Sequence, residues 1–127
     1  MMGRFYHYKL DYCEIFLLEN VLVKQIEEGQ IISSNHVDEL LQIIDKHFKD
    51  KPVVYLSNRT FSYSVDPLVY KEASKIKNII GIGIIVSENQ RVQNAFYEGK
   101  FYEKEFEVFR HFDEAMIWAN SLLERNK

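Results

Sequence analysis

The chain alternates short apolar runs with segments in which apolar residues recur every three or four positions. The densest run, residues 79–86, contains only Ile, Gly and Val and would have no polar face if it were extended. Such a strand must be covered on both faces, which is typical of a central strand in a sheet flanked by helices. The pattern predicts an α/β domain organised around this strand.

Other short apolar segments predict strands on both sides of this run. They are residues 6–18, read as one long strand or two short ones, and residues 21–26, 53–56 and 106–109. Glu19-Asn20 offers a tight turn between the first two segments, so we expect the sheet to open with an antiparallel hairpin. The sheet is therefore predicted to be mixed.

Helical spacing of apolar residues predicts four helices. They cover residues 35–48, 66–80, 87–99 and 113–123, with the N-caps Asn35, Asp66, Ser87 and Asp113. At the last helix, we expect Phe112 to pack on Ile117 across the cap. Gly81 either closes the second helix or opens the central strand.

The order of these elements predicts one specific strand pair. A helix lies between residues 53–56 and the central strand, and a helical crossover joins parallel strands. We therefore expect residues 53–56 and 82–86 to be adjacent and parallel, with helices on at least one face. Gly81 and Gly83 then lie inside a strand and serve packing, because a dinucleotide-binding loop needs its glycines after the strand.

Composition narrows the class of protein. The 127 residues suffice for one domain with a real core, and we expect a single domain over residues 1–127. The net charge of −3 gives no electrostatic footprint for nucleic acid or an anionic membrane. One cysteine, Cys13, excludes an internal disulfide and a zinc cluster, and we expect it to be a core residue. No run predicts a signal peptide or an integral membrane segment, so a cytoplasmic location is expected.

The order of elements resembles the STAS domain, the fold of anti-sigma-factor antagonists, and especially its SpoIIAA-like, STAS/SEC14-type relatives. The similarity rests on the opening hairpin, the helix start near Ser34-Asn35, the strand at residues 53–56 and the ending Phe112-Asp113-Glu114-Ala115-Met116-Ile117-Trp118. It extends over nearly the whole chain. The resemblance implies a non-enzymatic regulatory or protein-interaction module, and the SEC14-type comparison suggests a carrier of a small apolar ligand as the alternative.

The chain departs from this family at its phosphorylation motif. Antagonists regulated by phosphorylation carry an Asp-Ser-Ser/Ala-Gly type motif where the helix after the third strand begins, whereas residues 57–67 here read Ser-Asn-Arg-Thr-Phe-Ser-Tyr-Ser-Val-Asp-Pro. A phosphorylatable serine is therefore not carried over. Ser57, Ser62 or Ser64 could still bind or carry phosphate near a helix N-terminus. The alternative is that these hydroxyls only cap and satisfy a loop.

We predict a binding surface that combines this loop with the aromatic segment at residues 96–102. Both segments follow predicted strands, and α/β domains bind ligands where parallel strands end. The candidate residues are Ser57, Asn58, Arg59, Ser62, Ser64, Tyr97 and Tyr102. Phe96 and Phe101 are expected to fill the core instead. Arg59 could form an anion-binding site together with three other cations, Lys71, Lys75 and Arg91. The alternative is that these cations are ordinary solvated charges on the surface.

The sequence carries no recognisable catalytic or metal signature. No nucleophile comes with a base and an orienting acid, and the histidines fall in separate elements, where we expect surface or capping roles. They are His7, His36, His47 and His111. We expect no cofactor and no enzymatic activity. Three classes stay open: a module that binds an unknown protein or a second copy of itself, a carrier of a small apolar ligand, and an enzyme with an unrecognised site.

Overall fold

The structure is a computed structural model that describes residues 5–26, 29, 31–32, 34–59, 64–65, 68–86 and 89–126. Its strands are β1 (Phe5–Lys9), β2 (Cys13–Leu18), β3 (Val21–Ile26), β4 (Ile31–Ile32), β5 (Val53–Asn58), β6 (Ser64–Val65), β7 (Ile79–Ile85) and β8 (Glu105–Phe109). Its helices are α1 (Ser34–His47), α2 (Leu68–Ala73), α3 (Asn89–Gly99) and α4 (Phe112–Arg125). The predicted α/β class is confirmed.

The main sheet has six strands in the order β1-β2-β3-β5-β7-β8. The pairs β1–β2 and β2–β3 are antiparallel, whereas β3, β5, β7 and β8 run parallel to one another. Tyr55 of β5 lies beside Ile82 of β7, so the predicted parallel pair is confirmed. β4 and β6 were not predicted from the sequence, and they pair in parallel as a separate two-stranded sheet.

Helices cover both faces of the main sheet. One face packs against α1, α2 and α3 through residues such as Ile44, Ala73 and Ala95, and the other packs against α4. Cys13 is fully buried in the first of these clusters, as expected. Covering on both sides explains why the central strand has no polar face.

Two predicted helix boundaries are wrong. α1 begins at Ser34, so Asn35 lies inside the helix and is not its N-cap. α2 ends at Ala73. Ile76, which extended the predicted helix, lies between α2 and β7, whereas Ile79 and Ile80 belong to β7. Their spacing fits either periodicity, and pairing with β5 decides for the strand. The predicted caps Asp66 and Ser87 lie outside the described residues.

The start of α4 also differs from its prediction. His111 is the N-cap, with extended backbone angles and no capping hydrogen bond from its side chain. Asp113 lies in the first turn, where its carboxylate accepts a hydrogen bond from the amide of Glu114 at 3.0 Å. Ile117 is 68% exposed, so the predicted packing of Phe112 on Ile117 across an Asp113 cap is wrong.

Gly81 and Gly83 allow α4 to approach β7 closely. A Cβ atom on Gly83 would lie 2.7 Å from Cδ2 of Leu56 and 3.1 Å from Cζ3 of Trp118. A Cβ on Gly81 would lie 2.5 Å from Cδ2 of Leu122. These contacts agree with the packing role expected for the two glycines.

Candidate functional site

Arg59 lies at the carboxyl edge of the sheet, directly after β5, and is only 8% exposed. Its guanidinium forms a two-point ion pair with Glu98 of α3, in which Nη1 donates to Oε2 at 2.7 Å and Nη2 donates to Oε1. Tyr70 of α2 accepts a hydrogen bond from Arg59 Nη2 at 3.1 Å and donates one to Glu98 Oε1 at 2.6 Å. This Arg59–Tyr70–Glu98 cluster ties the end of β5 to two helices.

The cluster overturns the anion-site hypothesis for Arg59. The Glu98 carboxylate already compensates the guanidinium charge, and both side chains are largely withdrawn from water, with 7% and 15% exposure. Lys71 and Lys75 are exposed, and the Arg91 side chain is outside the described part of the structure. Arg59 therefore serves to position elements and does not present a charge to solvent.

An apolar cavity of about 50 Å³ lies beside the cluster. Residues of β3, β5 and β7 form one wall and residues of α1 and α2 form the other, with Tyr70 belonging to both the cavity and the cluster. Most of the lining is aliphatic or aromatic. Five lining side chains carry polar groups, namely Lys24, His36, Ser57 and the two tyrosines, Tyr55 and Tyr70.

Lys24 is the unusual member of this lining, because it is 3% exposed in an otherwise apolar core. It lies next to Ser57 in the parallel register of β3 and β5. Its Nζ atom is 5.0 Å from the centroid of the Tyr12 ring, within range of a cation–π contact. No carboxylate of the described residues forms an ion pair with it.

Burial lowers the pKa of the Lys24 ammonium below its ordinary 10.5, because the charged form loses its hydration. The proximity of Cys13 and Glu39 opposes this shift in part. The neighbouring Tyr12 hydroxyl is also buried, and its pKa is raised for the same reason of desolvation. Burial among these side chains therefore favours the neutral forms of both Lys24 and Tyr12.

His36 belongs to the wall of this cavity. Its ring centroid lies 4.3 Å from that of Tyr12, and the residue is partly buried. The expectation of a surface or capping role is therefore wrong for His36, whereas His111 is exposed at the N-cap position of α4. Within the described residues, no group of three or more His, Cys, Asp or Glu side chains could hold a metal ion.

The structure distributes the predicted loop residues over different environments. Ser57 is 2% exposed and lines the cavity, so it is not a surface residue. Asn58 is partly buried at the end of β5. Ser62 lies outside the described residues, and for Ser64 only the backbone, within β6, is described.

The aromatic segment is arranged differently from its prediction. Tyr97 is 58% exposed, in agreement with its predicted place on a surface, but Tyr102 is 6% exposed and is not part of that surface. Phe96, which was expected in the core, is 57% exposed. Phe101 is partly buried and packs against the core as expected. Helical periodicity explains why Phe96 is exposed, because it lies directly after Ala95, which turns inward and is fully buried.

Lys24, Tyr70 and Glu98 were not among the site residues predicted from the sequence. For Lys24 a signal was present, because positions 22, 24 and 26 of a strand share one face and the other two are Leu and Ile. Glu98 carried no such signal. Its partner Arg59 lies 39 residues away in sequence, and only the tertiary packing, in which α3 contacts β8, brings them together.

No helix of the described residues has the length and apolar character needed to cross a membrane. No protein-family model matches the chain, and no curated protein is significantly similar to it. A solved structure is similar over almost its whole length: an uncharacterized protein of the DUF3478 family from Shewanella loihica PV-4, described as having a SpoIIAA-like fold. The TM-score is 0.53 with 13% sequence identity, over 92% of this chain and 93% of that chain. The likeness confirms the predicted SpoIIAA-like fold and extends to the fold alone.

Proposed function

We propose that this protein, whose fold is SpoIIAA-like, is a non-enzymatic regulatory module that acts by binding a partner protein. The observation that carries the proposal is a pair of adjacent exposed aromatic residues, Phe96 and Tyr97, in α3. We call these two residues the α3 aromatic patch. Exposed aromatic side chains are enriched at protein interfaces because they contribute large contact area at low entropic cost.

The patch stands on a well-anchored helix. Glu98, the next residue, forms the buried ion pair with Arg59, which holds α3 against the carboxyl edge of the sheet. The Tyr97 ring packs edge-on against Phe101, with centroids 5.7 Å apart, and Lys100 Nζ lies 5.7 Å from its centroid. A surface that is ordered before binding loses less conformational entropy when a partner docks.

The cavity argues against a carrier of a lipid-sized ligand. Its volume of about 50 Å³ holds only about three to five water-sized groups, at ~10–15 Å³ for each. A long acyl chain would require the sheet and helices to separate. The carrier function is therefore the weaker candidate, and the enzyme class is weaker still because the fold alone supplies no chemistry.

The proposal is tested by comparing capture of partners by wild-type protein and by a Phe96→Ala/Tyr97→Ala variant. The full chain would be immobilised, and bound proteins from a native lysate quantified by mass spectrometry. We expect the double variant to lose at least one protein that the wild type retains. That protein, once purified, should bind the wild type about tenfold or more tightly than the double variant in a direct titration.

An Ile117→Ala variant provides the matched control. Ile117 is a large apolar residue that is more exposed than Phe96 or Tyr97, but it lies on α4, which covers the other face of the sheet. It should keep the partner, and both variants should show the wild-type circular dichroism spectrum. Equal partner binding by all three proteins would contradict the proposal. If the wild type is a dimer and the double variant is a monomer, a second copy of the chain occupies the α3 aromatic patch. That result would contradict the proposal of a separate partner protein.

A further inference from the structure

We infer that the cavity at Lys24 is a binding site for a small organic carboxylate with a short apolar tail. This inference is independent of the α3 aromatic patch, since the cavity is separate from the exposed face of α3. It rests on three observations: a buried lysine without a carboxylate partner among the described residues, a cavity beside it, and the composition of the cavity wall.

The first step concerns the charge of Lys24. Lys24 is 3% exposed, and a buried ammonium group is destabilising unless an anion or several acceptors compensate it. Its described surroundings include the π face of Tyr12 and the electrostatic influence of Cys13 and Glu39. A carboxylate entering the cavity would supply a charge-assisted hydrogen bond at this position.

The second step concerns the other polar groups of the wall. Ser57 lies beside Lys24 in the sheet register, and His36 reaches the cavity from the first turn of α1. That turn carries no acidic residue, so the partial positive charge of the helix N-terminus also favours an anion. The polar groups converge where the parallel strands β3 and β5 end, which is where α/β sheets bind ligands.

The third step sets the size of the ligand. One water needs about 10–15 Å³ of cavity measured in this way, so about 50 Å³ accommodates about three to five water-sized groups. Acetate and propionate have this size. Most of the remaining wall is aliphatic, including Val69, Ile79 and Ile82, and would contact the methyl or methylene groups of the tail.

The test is a titration of the isotope-labelled full chain with sodium propionate, followed by amide chemical shifts. Sodium chloride at equal ionic strength and propionamide, the uncharged analogue of the same shape, serve as comparisons. We expect saturable shifts at residues around the cavity with propionate only, and weaker binding of hexanoate because the cavity is too short for it. Equal shifts with chloride or propionamide, or tighter binding as the chain lengthens to hexanoate, would overturn the inference.

A Lys24→Met variant tests the role of the amine. We expect propionate binding to weaken about tenfold or more, since the charge-assisted hydrogen bond is lost while the apolar wall is kept. Lys100→Met is the matched control, because Lys100 is an exposed lysine near Tyr97, and it should bind as the wild type does. Wild-type affinity in a folded Lys24→Met variant would overturn the inference. The propionamide comparison requires no variant and decides the question if Lys24→Met fails to fold.

Discussion

The buried ammonium group of Lys24 is expected to lower the stability of the fold while favouring the binding of an anion. Its position on β3, between the inward-facing Leu22 and Ile26, would be filled more stably by an apolar side chain of similar length. Retaining an ammonium there lowers the free energy of unfolding, as is common for groups that serve function. The stability of variants at this position therefore reports on the burial of its charge.

We predict that Lys24→Met raises the free energy of unfolding by about 1–3 kcal/mol at pH 7, as measured by urea denaturation. The advantage should shrink as the pH rises toward 10. Burial lowers the pKa of Lys24 in the folded state, so between that lowered value and 10.5 the unfolded chain binds more protons, and wild-type stability rises with pH.

Lys100→Met is the control, since removing an exposed ammonium should change stability little at either pH. Measurements should remain below pH 10, because the raised pKa values of Tyr12 and Tyr102 make the unfolded chain lose those protons first, and stability then falls with further alkali. An advantage of Lys24→Met that stays constant from pH 7 to 9.5 would contradict this account of Lys24.

Tyr102 differs from Lys24 in that its polar group has no favourable role in the described structure. Its hydroxyl is buried without a hydrogen-bond partner among the described residues, and burial raises its pKa. We expect Tyr102→Phe to increase the free energy of unfolding by about 1 kcal/mol, because an unsatisfied polar atom is removed and the ring is kept. Thermal and urea denaturation would measure the change. Tyr97→Phe, at an exposed position, should be neutral, and destabilisation by Tyr102→Phe would show that the hydroxyl is satisfied.

At the scale of elements, the Arg59–Tyr70–Glu98 cluster is the main polar connection between α3 and the end of β5. We expect Glu98→Gln to lower the free energy of unfolding by about 3 kcal/mol, because it removes the carboxylate that compensates a buried guanidinium. Arg59→Met should also destabilise the protein. Urea denaturation of both single variants and the double variant forms a thermodynamic cycle.

The double variant Arg59→Met/Glu98→Gln should lose less stability than the sum of the single losses, with a coupling of about 1–3 kcal/mol. Tyr70→Phe provides a graded comparison, since it removes hydrogen bonds within the cluster without removing a charge. It should cost about 1 kcal/mol. Additive losses in the cycle would mean that Arg59 and Glu98 do not stabilise each other.

At the scale of the whole molecule, the sheet order predicts how stability is distributed. β5 and β7 each have a strand on both sides and helices on both faces, whereas β1 is an edge strand whose side chains are mostly exposed. Among these strands, we expect native-state hydrogen exchange to be slowest in β5 and β7 and fastest in β1. Exchange in β1 is fast because it needs only local fraying of the sheet edge. β8 is an internal comparison, since it is also an edge strand but contacts α3 and α4. Equal protection of β1 and β5 would contradict this distribution.

The local pattern of the sequence was sufficient for the elements and for much of their arrangement. The alternation of strands and helices, the opening hairpin and the parallel pairing of β5 with β7 follow from periodicity, turn residues and crossover geometry, which act over short stretches of chain. The role of Gly81 and Gly83 in packing was also predictable from their place inside an apolar strand. The end of α2 was not, because isoleucines at residues 79–80 satisfy helical and extended patterns alike until β5 pairs with them.

The sequence alone therefore determined the fold class and the central strand pair, since these depend on the repeat of apolar positions along each segment. Only the tertiary structure decided the sites. Phe96 is exposed and Tyr102 is buried because the rotation of α3 and the path of the chain after it are set by packing against β8. Arg59 meets Glu98 across 39 residues of sequence, and Lys24 becomes a buried cation only when α1 and α2 close over β3 and β5. Contacts of this kind join residues from different elements, and no periodicity within one segment encodes which distant side chain will lie opposite.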